Sequence, residues 1–144
     1  MKVQQLGHVV IKVRNRAIAE GFYRDLLGLP IAATLDSPQM TFFTLGNHHD
    51  FAIIEVGDGP PASADSPGLF HVAFRIGTST EDLRDAKTRL EDAGAPVDGI
   101  ADHTVCQSLY TRDPDGNAVE LYVDVSDIWR TNPQAVATMS PLAL

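Results

Sequence analysis

The sequence predicts an α+β fold built from two similar halves, each a strand, a helix and three further strands. Three observations carry this reading. A histidine-bearing apolar strand occurs twice, as Gly7-His8-Val9-Val10-Ile11-Lys12-Val13 and as Phe70-His71-Val72-Ala73-Phe74-Arg75-Ile76, with the two histidines 63 positions apart. A helical pattern follows each copy. A stretch rich in glycine and proline separates the two.

The elements follow in order. After the first strand, residues 15–29 place Ala17, Ile18, Phe22, Leu26 and Leu27 on one helical face, with Asn15 as N-cap and Gly28 and Pro30 as the stop. Strands are expected at about 31–36, 40–45 and 50–56. The first module therefore spans about 1–57 and the linker about 58–68. In the second half, Ser79 or Thr80 caps a helix with acids in its first turn and an apolar stripe of Leu83, Ala86, Leu90 and Ala93, ended by Gly94. Strands at about 97–101, 107–112 and 118–124 complete a second module over about 69–124. The tail, 125–144, has little periodicity beyond a short helix expected near Asp127–Arg130, and it is expected to lie along the body or a partner.

The 144 residues suit one domain, here 1–124 plus the tail. A net charge of −8 with no basic run argues against nucleic acid or an anionic membrane as partner, since phosphate binding needs clustered Lys and Arg. The one cysteine, Cys106, excludes an intrachain disulfide and fits a reducing compartment. No signal-like apolar core opens the chain, and no stretch approaches the ~18 apolar residues of a membrane span. A cytoplasmic protein is the expectation.

The chemistry rests on few residues. Of five histidines, His8 and His71 occupy the same point of a repeated strand, so two halves packed about a pseudo-twofold axis would bring them together. Glu120 lies in the otherwise apolar strand Ala118-Val119-Glu120-Leu121-Tyr122, and a buried carboxylate must be paired, protonated or metal-bound. The opposing reading is a Glu120 that simply faces solvent. Aligning the last strands of the halves sets Glu120 beside Ile53, which cannot bind a metal. Two histidines and one carboxylate then form a facial set with open positions, suited to non-haem Fe(II) or Mn(II).

At these residues the chain resembles the vicinal oxygen chelate superfamily. The resemblance covers nearly all of residues 1–124. It rests on Leu6-Gly7-His8-Val9-Val10, on Phe22-Tyr23-Arg24-Asp25-Leu26-Leu27-Gly28-Leu29, on Phe70-His71-Val72-Ala73-Phe74 and on Asp113-Pro114-Asp115-Gly116-Asn117-Ala118-Val119-Glu120-Leu121-Tyr122. It implies paired βαβββ modules forming a partly open mixed β-barrel around one metal held by His8, His71 and Glu120. His49-Asp50-Phe51-Ala52 is similar to a segment of the extradiol ring-cleaving dioxygenases. So is the order His103, Tyr110, Glu120. The resemblance to these single-domain enzymes implies Fe(II), less often Mn(II), with His49 as acid–base group at the O2 position and His103 and Tyr110 bonding a catechol-type substrate. A homodimer or higher homo-oligomer is expected. Val10, Phe51, Ile53, Ala73 and Tyr122 share strand parity with the inward residues and are expected to line the pocket.

Bland readings stand beside these. Gly46-Asn47 is a turn signal, so His48 and His49 can be solvated loop residues, as can His103. Tyr110 can be strand packing. Cys106 has no activating partner, and Asp113-Pro114-Asp115-Gly116 is a turn. The superfamily also holds fosfomycin-resistance transferases, glyoxalases and other isomerases, and metal-free drug or aromatic binders. A transferase of that kind carries a hydroxyl residue where Val10 stands, and it needs basic residues for the phosphonate, whereas no lysine follows Lys87. A glyoxalase or epimerase needs a fourth polar ligand near Ile53.

Overall fold

The structure is a computed structural model, and it describes residues 1–60 and 66–144. Residues 61–65 of the expected linker lie outside the described residues. The chain forms two compact units, Met1–Ser66 and Pro67–Leu144.

The first unit contains β1 (Val9–Val13), α1 (Arg16–Glu20) running into a π-helical turn (Gly21–Leu26), β2 (Ile31–Asp36), β3 (Gln39–Phe43) and β4 (Phe51–Glu55). They form a mixed sheet of order β1-β4-β3-β2, in which β1 runs parallel to β4 and the other pairs are antiparallel. The Asn15 side chain caps α1 by accepting from the Ile18 N–H at 3.0 Å, and Gly28 ends the helical stretch at φ 79°. Within the π turn the Leu27 N–H bonds the Phe22 carbonyl, five residues back, at 2.9 Å. The buried residues Ala19, Phe22 and Tyr23 keep the i, i+3, i+4 spacing of one helical face, but that face is rotated from the expected one, and Ala17 and Ile18 are exposed. Tyr23 packs its ring 4.8 Å from Phe51 and 6.1 Å from Phe43, in a core shared with Ile11, Val13 and Ile53.

The second unit contains β5 (Val72–Gly77), α2 (Thr80–Asp92), β6 (Gly99–Asp102), β7 (Cys106–Arg112), β8 (Ala118–Asp124), two 3-10 turns (Ile128–Arg130 and Pro133–Ala137) and β9 (Ser140–Pro141). Its sheet order is β5-β8-β7-β6-β9, again with one parallel pair, β5 and β8. Of the two capping candidates Ser79 is the N-cap, in a reciprocal box with Asp82. Gly77 makes room for that box, since a Cβ there would lie 2.3 Å from the Asp82 Oδ2. Leu83 and Leu90 are buried, Ala86 is half-buried and Ala93 is exposed at the C-cap. The expected short helix of the tail is a 3-10 turn. Beyond it the chain returns to its own unit, where β9 pairs with β6 at Ala101–Pro141 and Asp102–Ser140. No helix among the described residues is long and apolar enough to cross a membrane.

The registers fix how the halves correspond. Val9 pairs with Phe51 and Val10 with Ala52, while Val72 pairs with Val119 and Ala73 with Glu120. With His8 matched to His71, the residue equivalent to Glu120 is Ala52. This corrects the sequence alignment, which set Ile53 there. The error was one residue, enough to move a side chain to the other face of a strand.

Candidate functional site

In the second unit, β5, β8 and β7 present one polar face. Glu120 sits between Ala73 on β5 and Tyr110 on β7, and Ser108 opposes Tyr122 one step along. The other face of these strands (Phe74, Leu109, Val119, Leu121, Val123) is buried with Leu83 and Leu90 of α2. Glu120 does not face solvent: it is 8 % exposed. Its Oε2 lies 2.9 Å from the His71 Nε2. Its Oε1 accepts from the Ser108 hydroxyl at 2.5 Å and lies 3.4 Å from the Tyr110 hydroxyl. The carboxylate is thus fixed on both oxygens. Burial, with the Glu120 charge as the next cause, pushes the Tyr110 phenol above its ordinary value, so it remains a neutral donor at physiological pH.

His103 enters this network from the turn joining β6 to β7. Thr104 adopts φ 70° there, an uncommon conformation for a β-branched residue. It is held because the Asp102 carboxylate accepts the Thr104 N–H at 2.7 Å, and Asp102 also accepts from Gln107 Nε2 at 3.1 Å. The bond to the Thr104 N–H is the larger cause holding the Asp102 carboxyl below its ordinary value. The imidazole bridges two partners. Nδ1 is 2.9 Å from the Thr138 carbonyl oxygen and Nε2 is 2.9 Å from the Tyr110 hydroxyl. A carbonyl oxygen only accepts, so Nδ1 carries a proton. In the neutral ring Nε2 then accepts from Tyr110. The Thr138 hydroxyl lies 2.9 Å from the His103 carbonyl and 2.8 Å from the Ala135 carbonyl, which ties the tail to the same turn.

The first unit gathers the remaining histidines. His8 immediately precedes β1. His49 lies in the loop between β3 and β4, and the two ring centroids are 4.1 Å apart. His48 is 4.6 Å from His49, and Phe42 meets His49 edge-on at 5.3 Å. Partial burial, then the neighbouring His8 and His48, lower the His49 pKa below its ordinary value; Asp50 opposes them. Neutral imidazole is the form that accepts a proton.

The structure changes part of the expected pocket lining. Phe51 and Ile53 do not share a face with the inward residues. Both are fully buried in the first unit's core with Tyr23 and Phe43. The irregular backbone at Leu45–Asp50 breaks the two-residue alternation on which their parity with His49 was counted. Val10 is 43 % exposed, on the opposite face of β1 from Ile11 and Val13. Ala73 and Tyr122 lie on the Glu120 face of the second sheet.

The donor set of the second unit fits a metal. Two ligand atoms at right angles on an ion with bonds of about 2.1 Å stand about 3 Å apart, close to the 2.9 Å between His71 and Glu120. The carboxylate and the imidazole are each a ligand type for Fe or Mn, and the Ser108 hydroxyl orients the carboxylate as supporting groups do around metal ligands. Sequence reasoning missed Ser108 and Thr138. Ser108 was within reach, two residues before Tyr110 on a strand and so on the same face. Thr138 carried no signal, because its contact with His103 spans 35 residues of chain. The acids of Asp113-Pro114-Asp115-Gly116 do form a turn: Asp113 accepts from the Asp115 and Asn117 backbone N–H groups at 2.9 and 2.8 Å.

Comparison with known proteins gives the same family from several sides. Residues 5–121 match the model of the glyoxalase/bleomycin resistance protein/dioxygenase superfamily. Biphenyl-2,3-diol 1,2-dioxygenase 3 of Rhodococcus globerulus is 35 % identical over 123 residues, 83 % of this chain and 63 % of that protein, so the chain spans about three fifths of that relative's length. The ethylmalonyl-CoA/methylmalonyl-CoA epimerase of Cereibacter sphaeroides is 28 % identical over 83 % of this chain and 97 % of its own length. A solved glyoxylase/bleomycin resistance protein/dioxygenase domain from Frankia sp. EAN1pec superposes with a TM-score of 0.72 at 24 % identity, covering 85 % of this chain and 99 % of that one, which shows the fold. The repeated histidine strand, the paired sheets and these likenesses agree, and the chain belongs to the glyoxalase/bleomycin resistance/dioxygenase, or vicinal oxygen chelate, superfamily.

Proposed function

We propose that the chain is a metal-dependent extradiol dioxygenase that opens a catechol-type ring with O2. His71 and Glu120, with His8 from the first unit as third ligand, hold Fe(II), or Mn(II) in its place. An ion bound by these three ligands keeps open positions, so it supplies simultaneous coordination of the diol and O2 and a path for electrons between them.

The protein's own groups do the rest. His49 is the base and later the acid beside O2, taking a proton from the diol and returning one as the O–O bond breaks; neutral imidazole with a lowered pKa suits the first of these roles. Tyr110 donates to a substrate oxygen, and His103, which lies 2.9 Å from the Tyr110 hydroxyl, holds the substrate's other polar edge. Val10, Ala73 and Tyr122 supply the apolar wall for the ring. Both atoms of O2 end in the ring-opened product.

The observation that carries the reading is the hydrogen-bonded run from the Thr138 carbonyl through His103 to Tyr110, whose hydroxyl stands 3.4 Å from Glu120, on the face that also carries His71. A proton-handling pair beside a ligand carboxylate is what ring cleavage needs. The likeness to a biphenyl-diol dioxygenase supports it. A second reading is a metal-dependent isomerase, favoured by the full-length match to an acyl-CoA epimerase. Against it, the position that would supply a fourth ligand in the first unit is Ala52, which is apolar and fully buried.

The test uses protein purified without oxygen and reconstituted with Fe(II). A panel of catechols is added, air is admitted, and product absorbance is followed with O2 uptake. We expect a yellow ring-opened product equimolar with the O2 consumed, lost in a His49→Ala variant that still binds iron. Iron-loaded protein that turns over no catechol, but exchanges the α-proton of an acyl thioester in deuterated water, would replace this reading with the isomerase.

A further inference from the structure

The loop between β3 and β4 carries one histidine, His48, that ring cleavage leaves unused, and it stands beside two that ring cleavage does use. His8, His48 and His49 each offer a ring nitrogen, and these three atoms lie within 4.8 Å of one another. The geometry is prepared on two sides. The Asn47 Oδ1 accepts the His48 backbone N–H at 2.9 Å and lies 3.0 Å from the His48 Nδ1, so that amide oxygen is the acceptor and Nδ1 carries the proton. The Nε2 lone pair of His48 is then free to ligate. His49 is braced edge-on by Phe42. His8 and His48 are exposed, so an ion reaches them from solvent.

The donor type selects the ion. Three neutral imidazoles, with no carboxylate among them, suit borderline divalent ions and not Mg(II) or Ca(II). The usual affinity order sets Zn(II) and Cu(II) above Fe(II) at such nitrogen sites, and a three-histidine set is a common zinc arrangement that leaves one position for water. We infer that His8, His48 and His49 form a second divalent-cation site, selective for a borderline ion such as Zn(II), which withdraws His8 from the iron site. The site itself stands on the first unit alone; only the competition rests on the proposed function. No covalent bond of the protein is made or broken by it; the ion exchanges bound waters for imidazole nitrogens.

The experiment separates the two. A His71→Ala/Glu120→Ala chain without a histidine tag removes the second unit's ligands. It is titrated with Zn(II) by calorimetry and with Co(II) by visible absorption. We expect one equivalent bound, with the intense absorption of low-coordinate Co(II), and a loss of affinity of tenfold or more when His48→Gln is added. His48 is exposed, so that variant should fold as the parent does, which circular dichroism checks. No binding by the double variant, or binding that His48→Gln leaves unchanged, would overturn the site. On the intact chain loaded with Fe(II), added Zn(II) should displace iron with a midpoint shifted tenfold or more by His48→Gln, read by iron released; an unshifted midpoint would overturn the competition. Both readouts remain meaningful if the protein cleaves no catechol.

Discussion

The two halves share one plan but spend it differently. Matched through their registers, Met40, Phe42 and Ala52 of the first unit stand where Ser108, Tyr110 and Glu120 stand in the second. One face of the first sheet is therefore apolar at the points where the second carries a carboxylate held by the Ser108 hydroxyl, with the Tyr110 hydroxyl beside it. His8 and His71 are the shared remnant. The comparison teaches that a duplicated scaffold supplies paired positions, and that a three-ligand site needs the pairing broken at one of them. A symmetric chain would present two carboxylates or none.

Making the second half resemble the first tests this most sharply. Ser108→Ala removes the hydroxyl on Glu120 Oε1 and frees the carboxylate to rotate. Supporting groups of this kind are worth about 10–100-fold in metal affinity, and we expect a loss in that range by equilibrium dialysis against Fe(II); unchanged affinity would break the claim that Ser108 orients the ligand. Tyr110→Phe installs the residue that the first half carries. It deletes one hydroxyl hydrogen bond, worth about 1 kcal/mol, so kcat/KM for a catechol should fall about fivefold with iron content unchanged. Iron loss in that variant would assign Tyr110 to metal retention instead.

Smaller effects distinguish the helices. The first unit caps α1 with the Asn15 side chain on the Ile18 N–H and the Glu55 carboxylate on the Arg16 N–H, whereas the second closes a reciprocal box in front of α2. Gly77→Ala drives a methyl into Asp82 and should lower Tm by a few degrees, about 2–4 °C per kcal/mol for a domain near this size; an unchanged Tm would show that the box adapts. The smallest effect is on pH. Hydrogen bonds from the Ser79 side chain, then from the Ser79 and Thr78 backbone, hold the Asp82 carboxyl below its ordinary 3.8. A lowered folded value means stability present above 3.8 and lost as pH falls through the folded value. An Asp82→Asn chain should therefore be less stable than the parent at pH 5, with the gap closing toward pH 2. A gap that persists at pH 2 would trace it to packing.

Much of this was legible in the sequence. The repeated strand gave the fold class, and polarity within apolar strands gave His71 and Glu120 as partners, because the cost of burying an unpaired carboxylate restricts where an apolar strand can carry one. What escaped had physical reasons. Strand alternation fails across Leu45–Asp50, where the backbone is irregular, so Phe51 and Ile53 were assigned to the wrong face. The buried face of the first helical stretch runs through Ala19, Phe22 and Tyr23 and leaves Ala17 and Ile18 exposed, because apolar residues at 17, 18 and 19 allow more than one helical face. The Thr138 clamp on His103 is a contact between distant parts of the chain, which periodicity does not see.

The central claim is that the carboxylate unique to the second half makes the metal site, and Glu120→Ala, the residue the first half has there, tests it directly. Iron per chain would be measured on wild type and variant, both reconstituted with Fe(II) without oxygen in zinc-free buffer and freed of loose metal by gel filtration, with circular dichroism to confirm the fold. The account predicts about one iron per wild-type chain and almost none in the variant. Equal iron in a correctly folded variant would contradict it.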